Sequence, residues 1–95
     1  MHQARLLEII DMLLYELEHD PFRGICEHLR YIYEGQFKIS KEEYFEMEDK
    51  LNEFKNNNME MVDQRFGGTY WFQNKEQRLF FLQKFKQANQ NSKQQ

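Results

Sequence analysis

The residues best equipped for chemistry in this 95-residue chain fall in two stretches. Arg65, Phe66, Tyr70, Trp71, Lys75 and Arg78 lie within fourteen residues of one another. Aromatic faces stack on nucleobases, and a guanidinium pairs with phosphate bidentately or stacks on the base itself. Lys75 stands where a helix should open, and first-turn amides have no partner inside their helix. The second stretch is Arg23-Gly24, just after Asp20-Pro21. Read as a first helical turn, it offers free amides, a favourable dipole and no side chain at Gly24 to hold an anion away. Arg23, Gly24, Arg65, Tyr70, Trp71, Lys75 and Arg78 are therefore the candidate ligand-binding set, suited to a small anionic ligand such as a nucleotide. Each also has a plainer reading. Asp20 already caps that helix and repels anions, Gly24 can serve close helix packing, and a sole Trp is commonly a core anchor.

Catalysis finds no footing. His2, His19 and His28 sit at no recurring metal-ligand spacing, and His28 reads as a water-facing residue beside Glu27. No zinc-protease, Walker, nucleophile-elbow or deaminase signature is present. Cys26 falls in an apolar stripe and reads as a small buried hydrophobe. The run Glu42, Glu43, Glu46, Glu48 and Asp49 spreads round one helix and reads as a solvated face. No catalytic residue, no metal site and no cofactor is expected, and the chain is not expected to be an enzyme.

Composition narrows the class. With 40% hydrophobic, 16% aromatic and 31% charged residues, the chain is neither collagen-like nor wholly disordered. One cysteine excludes a disulfide framework. No apolar run approaches the roughly 18 residues of a membrane span, and no secretory signal pattern opens the chain. The net charge of −3 hides an asymmetry: residues 1–60 carry 14 Asp and Glu against 7 Lys and Arg, whereas residues 61–95 carry 2 against 6. A weakly acidic whole disfavours long nucleic acid. The basic last third suits a small anion, or simply attracts the acidic part.

The elements that must hold these residues are helical. Leu6, Leu7, Ile9, Ile10, Met12, Leu13, Leu14 and Leu17 give a helix over residues 3–19 an apolar arc of roughly 220°. Glu8, Asp11, Tyr15 and Glu18 form its polar remainder. So wide an arc makes the helix either central to the fold or shared with a second copy, and a homodimer through residues 3–19 is the expectation. A second helix runs from Pro21 to about Tyr33, with Asp20 as N-cap and Gly35 as its C′ glycine. Phe22, Ile25, Cys26, Leu29, Ile32 and Tyr33 are its stripe. Ser40 and Glu43 form a capping box, with Ile39 and Tyr44 as staple, opening a third helix to about Lys55. Its seam is Tyr44, Met47, Leu51 and Phe54. Gly67-Gly68 between Met61-Val62 and Tyr70-Trp71-Phe72 suggests a short β-hairpin or an aromatic loop. Asn74 and Gln77 open a fourth helix bearing Leu79, Phe80, Phe81, Leu82 and Phe85. The expectation is a mainly α, four-helix small domain over residues 1–86, followed by a disordered polar tail at 87–95.

Taken in order, Gly24-Ile25-Cys26 with Leu29 on a helix, a link with Ile39 and the acidic pair Glu42-Glu43, then Tyr70-Trp71-Phe72, and finally Arg78 with Phe81-Leu82, resemble a group of small proteins encoded by phages and prophages. The resemblance spans residues 21–85, and the long first helix and asparagine-rich end of the third depart from the pattern. It implies a non-enzymatic counter-defence protein in the cytoplasm of an infected or lysogenic bacterial host. One such role is sequestration of a signalling (cyclic) nucleotide by a small oligomer. Arg23, Arg65 and Arg78 would then neutralise phosphates, and Tyr70 or Trp71 would stack on a base. The alternative is a protein-binding inhibitor or regulator that occludes a host defence protein, meeting it through the acidic face of the third helix or the aromatics near Tyr70 and Trp71.

Overall fold

A computed structural model describes residues 1–36, 39–58 and 74–91. Among the described residues there are four α-helices: α1 over Gln3–His19, α2 over Ile25–Tyr31, α3 over Lys41–Asn57 and α4 over Lys75–Asn91. A π-helical turn, Ile32–Gln36, extends α2. No strand occurs among the described residues, and the expected hairpin falls on residues 59–73, outside them.

Helix α1 is the centre of the fold. It has no glycine or proline in its interior, and Leu6, Ile9, Ile10, Leu13 and Leu17 are buried along it. Leu7, Met12 and Leu14 pack against the same core from its edges. Within the chain, α4 packs along α1 and α2 meets it as well. Burying each Leu or Ile stabilises the fold by about 1.5–3 kcal/mol. Helix α4 runs antiparallel to α1: Lys75 pairs with Glu18 at 2.8 Å at one end, and Gln3 donates to the Asn89 carbonyl at the other. Lys86 bridges to Asp11 at 2.7 Å between them.

The entry to α3 forms as its sequence dictates. Glu43 N–H donates to Ser40 Oγ at 3.1 Å, and Ser40 N–H donates to Glu43 Oε1 at 2.8 Å. Ile39 is buried beside them, and Met47 and Leu51 form the buried seam, flanked by half-buried Tyr44 and Phe54. Glu43 also receives Arg5 from α1, with Nε at 2.7 Å from Oε2 and an Nη at 3.2 Å from Oε1. One carboxylate therefore caps α3 and ties it to α1. Asn74 opens α4 by accepting the Gln77 N–H at 2.9 Å.

Three expectations need correction. The second helix does not start at Pro21. Asp20 Oδ1 accepts the Phe22 N–H at 3.3 Å in a side-chain turn, and α2 begins only at Ile25, with Gly24 as its extended N-cap. Asp favours such local turns as much as helix caps, and glycine resists helix interiors. At the other end, Gly35 lies inside the π-helical turn without left-handed backbone, so it is not a C′ glycine. Finally, residues 87–91 are helical, not a loose tail. Gln87, Ala88 and Gln90 are sound helix formers, and Asn89 donates its amide to the Phe85 carbonyl at 2.8 Å.

Candidate functional site

The anionic-ligand set divides unevenly. Arg65, Tyr70 and Trp71 lie outside the described residues. Arg23, Gly24, Lys75 and Arg78 do meet in one region, the connector between α1 and α2, but the three cations are engaged there by the protein itself. Arg23 Nε pairs with Asp20 Oδ2 at 2.9 Å, and its guanidinium lies 5.5 Å from the Tyr31 ring centre. Lys75 is held by Glu18. Arg78 donates to the Pro21 carbonyl, and its Nε is buried with no hydrogen-bond partner. Gly24 precedes a helix of only seven residues instead of standing in its first turn. The three cations thus hold the connector, and Arg23-Gly24 do not form the expected first helical turn. The physical cause is the Asp20 carboxylate, which organises the turn and neutralises Arg23.

His28 and Cys26 exchange their expected places. His28 is only 2% exposed, with Nε2 at 2.8 Å from the Asp20 carbonyl oxygen. Cys26 reaches the surface. The buried stripe of α2 and the turn after it keeps Ile25, Leu29 and Ile32 of the expected one, with His28 in place of Cys26 at its edge. Cys26 lines a mainly apolar hollow of about 270 Å³ between α2, α3 and Phe81 of α4. Burial around the sulfur pushes its thiol up, and the Glu48 carboxylate adds to the effect. It is therefore protonated at neutral pH and a poor nucleophile. Among the described residues, no group of three His, Cys, Asp or Glu could hold a metal ion, and no helix is long and apolar enough to cross a membrane.

A different face stands out. Phe22 is 90% exposed, Tyr15 61% and Tyr31 45%. All three belong to α1, α2 or the connector between them. Tyr15 is preorganised by stacking on His19, ring centres 4.1 Å apart, and Tyr31 sits beneath Arg23. Two hollows occupy this face. One, of about 150 Å³, is lined by Glu16, Asp20, Arg23, His28 and Tyr31. The other is a broad, shallow groove of about 480 Å³ lined by Glu8, Asp11, Met12, Tyr15, Glu16 and Ile32. Glu16 lines both. The π-helical turn begins at Ile32 on the groove wall, and such turns often mark functional positions.

Large apolar side chains grouped on an acidic helical surface suit recognition of another macromolecule better than turnover of a small substrate. The described residues form a small, mainly helical domain with exposed aromatic and acidic side chains along α1 and α2. Compared with protein-family profiles, curated proteins and solved structures, the chain matches none of them. Phe22, Tyr31 and Glu16 were not singled out by sequence reading. Tyr15 carried a signal, as the one aromatic on the polar remainder of α1.

Proposed function

We propose that the protein is a non-catalytic counter-defence protein that acts in the cytoplasm of a bacterial host by binding and occluding a host protein through the α1–α2 face. The observation that carries this reading is that Tyr15 and Tyr31, both exposed, line two hollows that share Glu16, with the exposed Phe22 on the connector between their helices. Aromatic side chains anchor interfaces because they bury large area with few rotatable bonds. Left in water on a domain this small, they are a cost that a bound partner removes. The nucleotide-sequestering reading has less support. It needs available cations, and Arg23, Lys75 and Arg78 are occupied by Asp20, Glu18 and Pro21.

Capture from host lysate separates the two. Immobilised wild-type protein should retain one host protein in stoichiometric amount. The double variant Phe22→Ala, Tyr31→Ala should lose it while keeping its helical circular dichroism, because both side chains project from the core. In parallel, cyclic di- and trinucleotides should leave the melting temperature unmoved. A nucleotide at 100 times its Kd would add about 2.7 kcal/mol of stability, and such a shift would replace the occlusion reading with sequestration.

A further inference from the structure

We infer that the shallow groove along α1 receives a basic amphipathic segment of the partner protein, in helical form. The inference rests on the protein-binding reading above and specifies the chemistry of the occupant.

The groove is amphipathic in a definite order. Glu8, Asp11, Met12, Tyr15 and Glu16 recur on α1 at helical spacing and so form one outward stripe. Met12 and Ile32 supply an apolar floor, Tyr15 an aromatic wall, and the carboxylates a negative rim. From Glu8 to Glu16 the stripe extends about 12 Å, or about two helical turns. That length fits a partner helix offering apolar side chains at i and i+4, with Lys or Arg on its flanks.

The carboxylates are not equivalent. Glu8 is bridged by Arg5 at 3.1 Å, and Asp11 by Lys86 at 2.7 Å. Glu16 is half-buried and its carboxylate has no hydrogen bond or ion pair among the described residues. Of the three groove carboxylates it is thus the one without an ion pair among the described residues, and it lines both hollows. The charge of the first 60 residues, 14 acidic against 7 basic, reinforces the local field. A cationic segment would be steered to this face and paired on arrival. A second copy is a poor occupant. Twofold pairing through this stripe would set the carboxylates of one copy among those of the other, Glu8 toward Glu16, and like charges opposed at an interface are destabilising.

The test uses the full chain and a synthetic amphipathic helical peptide with one leucine face and one lysine face. Its counterpart has glutamate in place of lysine. Fluorescence anisotropy should show the lysine peptide bound by wild-type protein and weakened about tenfold or more, about 1.4 kcal/mol, by Glu16→Lys. Glu53→Lys, which makes the same charge change on α3, should have little effect. The glutamate peptide should not bind. Equal loss from Glu16→Lys and Glu53→Lys would reduce the effect to net charge and overturn the inference, as would binding of both peptides alike. Sedimentation showing a dimer of wild-type chain that Glu16→Lys dissolves would also overturn it, in favour of a second copy. Failure here is separable from failure of the occlusion reading. If Glu16→Lys still captures the host protein that Phe22→Ala, Tyr31→Ala has lost, the face stands and the basic occupant falls.

Discussion

Phe85→Ala is expected to destabilise the protein by about 3–5 kcal/mol, since the substitution removes a fully buried ring and leaves a cavity. Phe85 is 2% exposed and lies where α4 meets the rest of the core. Phe54 of α3 holds it edge-on, ring centres 5.4 Å apart, and makes a similar contact with Phe81 at 5.5 Å. These contacts connect α3 to α4. A domain of this size is stable by only about 5–15 kcal/mol. The loss should lower the melting temperature by about 15–30 °C, read by thermal circular dichroism. Phe54→Ala should cost less, because Phe54 is only partly buried and the remaining rings stay packed against α1.

Glu43→Gln is expected to cost about 2 kcal/mol at neutral pH, read by urea denaturation, after allowing for the partial exposure of the Arg5 pair. The carboxylate serves two masters. The Arg5 guanidinium, and then the Ser40 amide, hold its pKa at about 2, well below the ordinary 4.5. The sign of the pH dependence follows. A folded-state pKa below the unfolded one contributes stability in full above pH 4.5, and that contribution is lost as pH falls toward 2. The wild-type protein should therefore lose its advantage over Glu43→Gln between those limits, and the two should converge at the acid end. A constant difference across that window would mean that the charge of Glu43 is not what stabilises it.

Much of the scaffold was legible because the relevant interactions are local. The Ser40–Glu43 box and the Asn74 cap depend on residues three apart, and both form as read. The width of the apolar arc on α1 correctly marked a helix that needs burial on more than one side. The homodimer expected through residues 3–19 rests on the same arc, part of which α4 of the same chain covers. The second helix failed for a definable reason. Asp20-Pro21 satisfies the rules for a helix start and for a turn equally well, and the choice was made by tertiary contacts. The Asp20 carbonyl takes His28, its carboxylate takes Arg23, and Pro21 takes Arg78. With these contacts made, Ile25, Leu29 and Ile32 stay buried, His28 is drawn inward, Cys26 is left at the surface, and Phe22 falls outside the helix. Periodicity alone cannot choose between Cys26 and His28, because they border the stripe on opposite sides.

The site was less legible than the scaffold for the same reason. Arginines near aromatics in sequence indicate an anion site only if the arginines are left unpaired. Asp20 beside Arg23, Glu18 far in sequence from Lys75, and the Pro21 carbonyl far from Arg78 decide that question. Conversely, Phe22 reads as core by its type and its place in an apolar stripe, yet stands almost wholly in water. Exposure of a residue that sequence assigns to the core is itself informative, since an isolated domain gains nothing from it.

The most direct test of the central claim is amide hydrogen exchange on the captured complex, compared with the protein alone. The account predicts that new protection concentrates in α1 from Glu8 to His19, in the connector and in α2, while the outer faces of α3 and α4 exchange as before. Protection confined to α3 or α4, with the α1–α2 face unchanged, would contradict it.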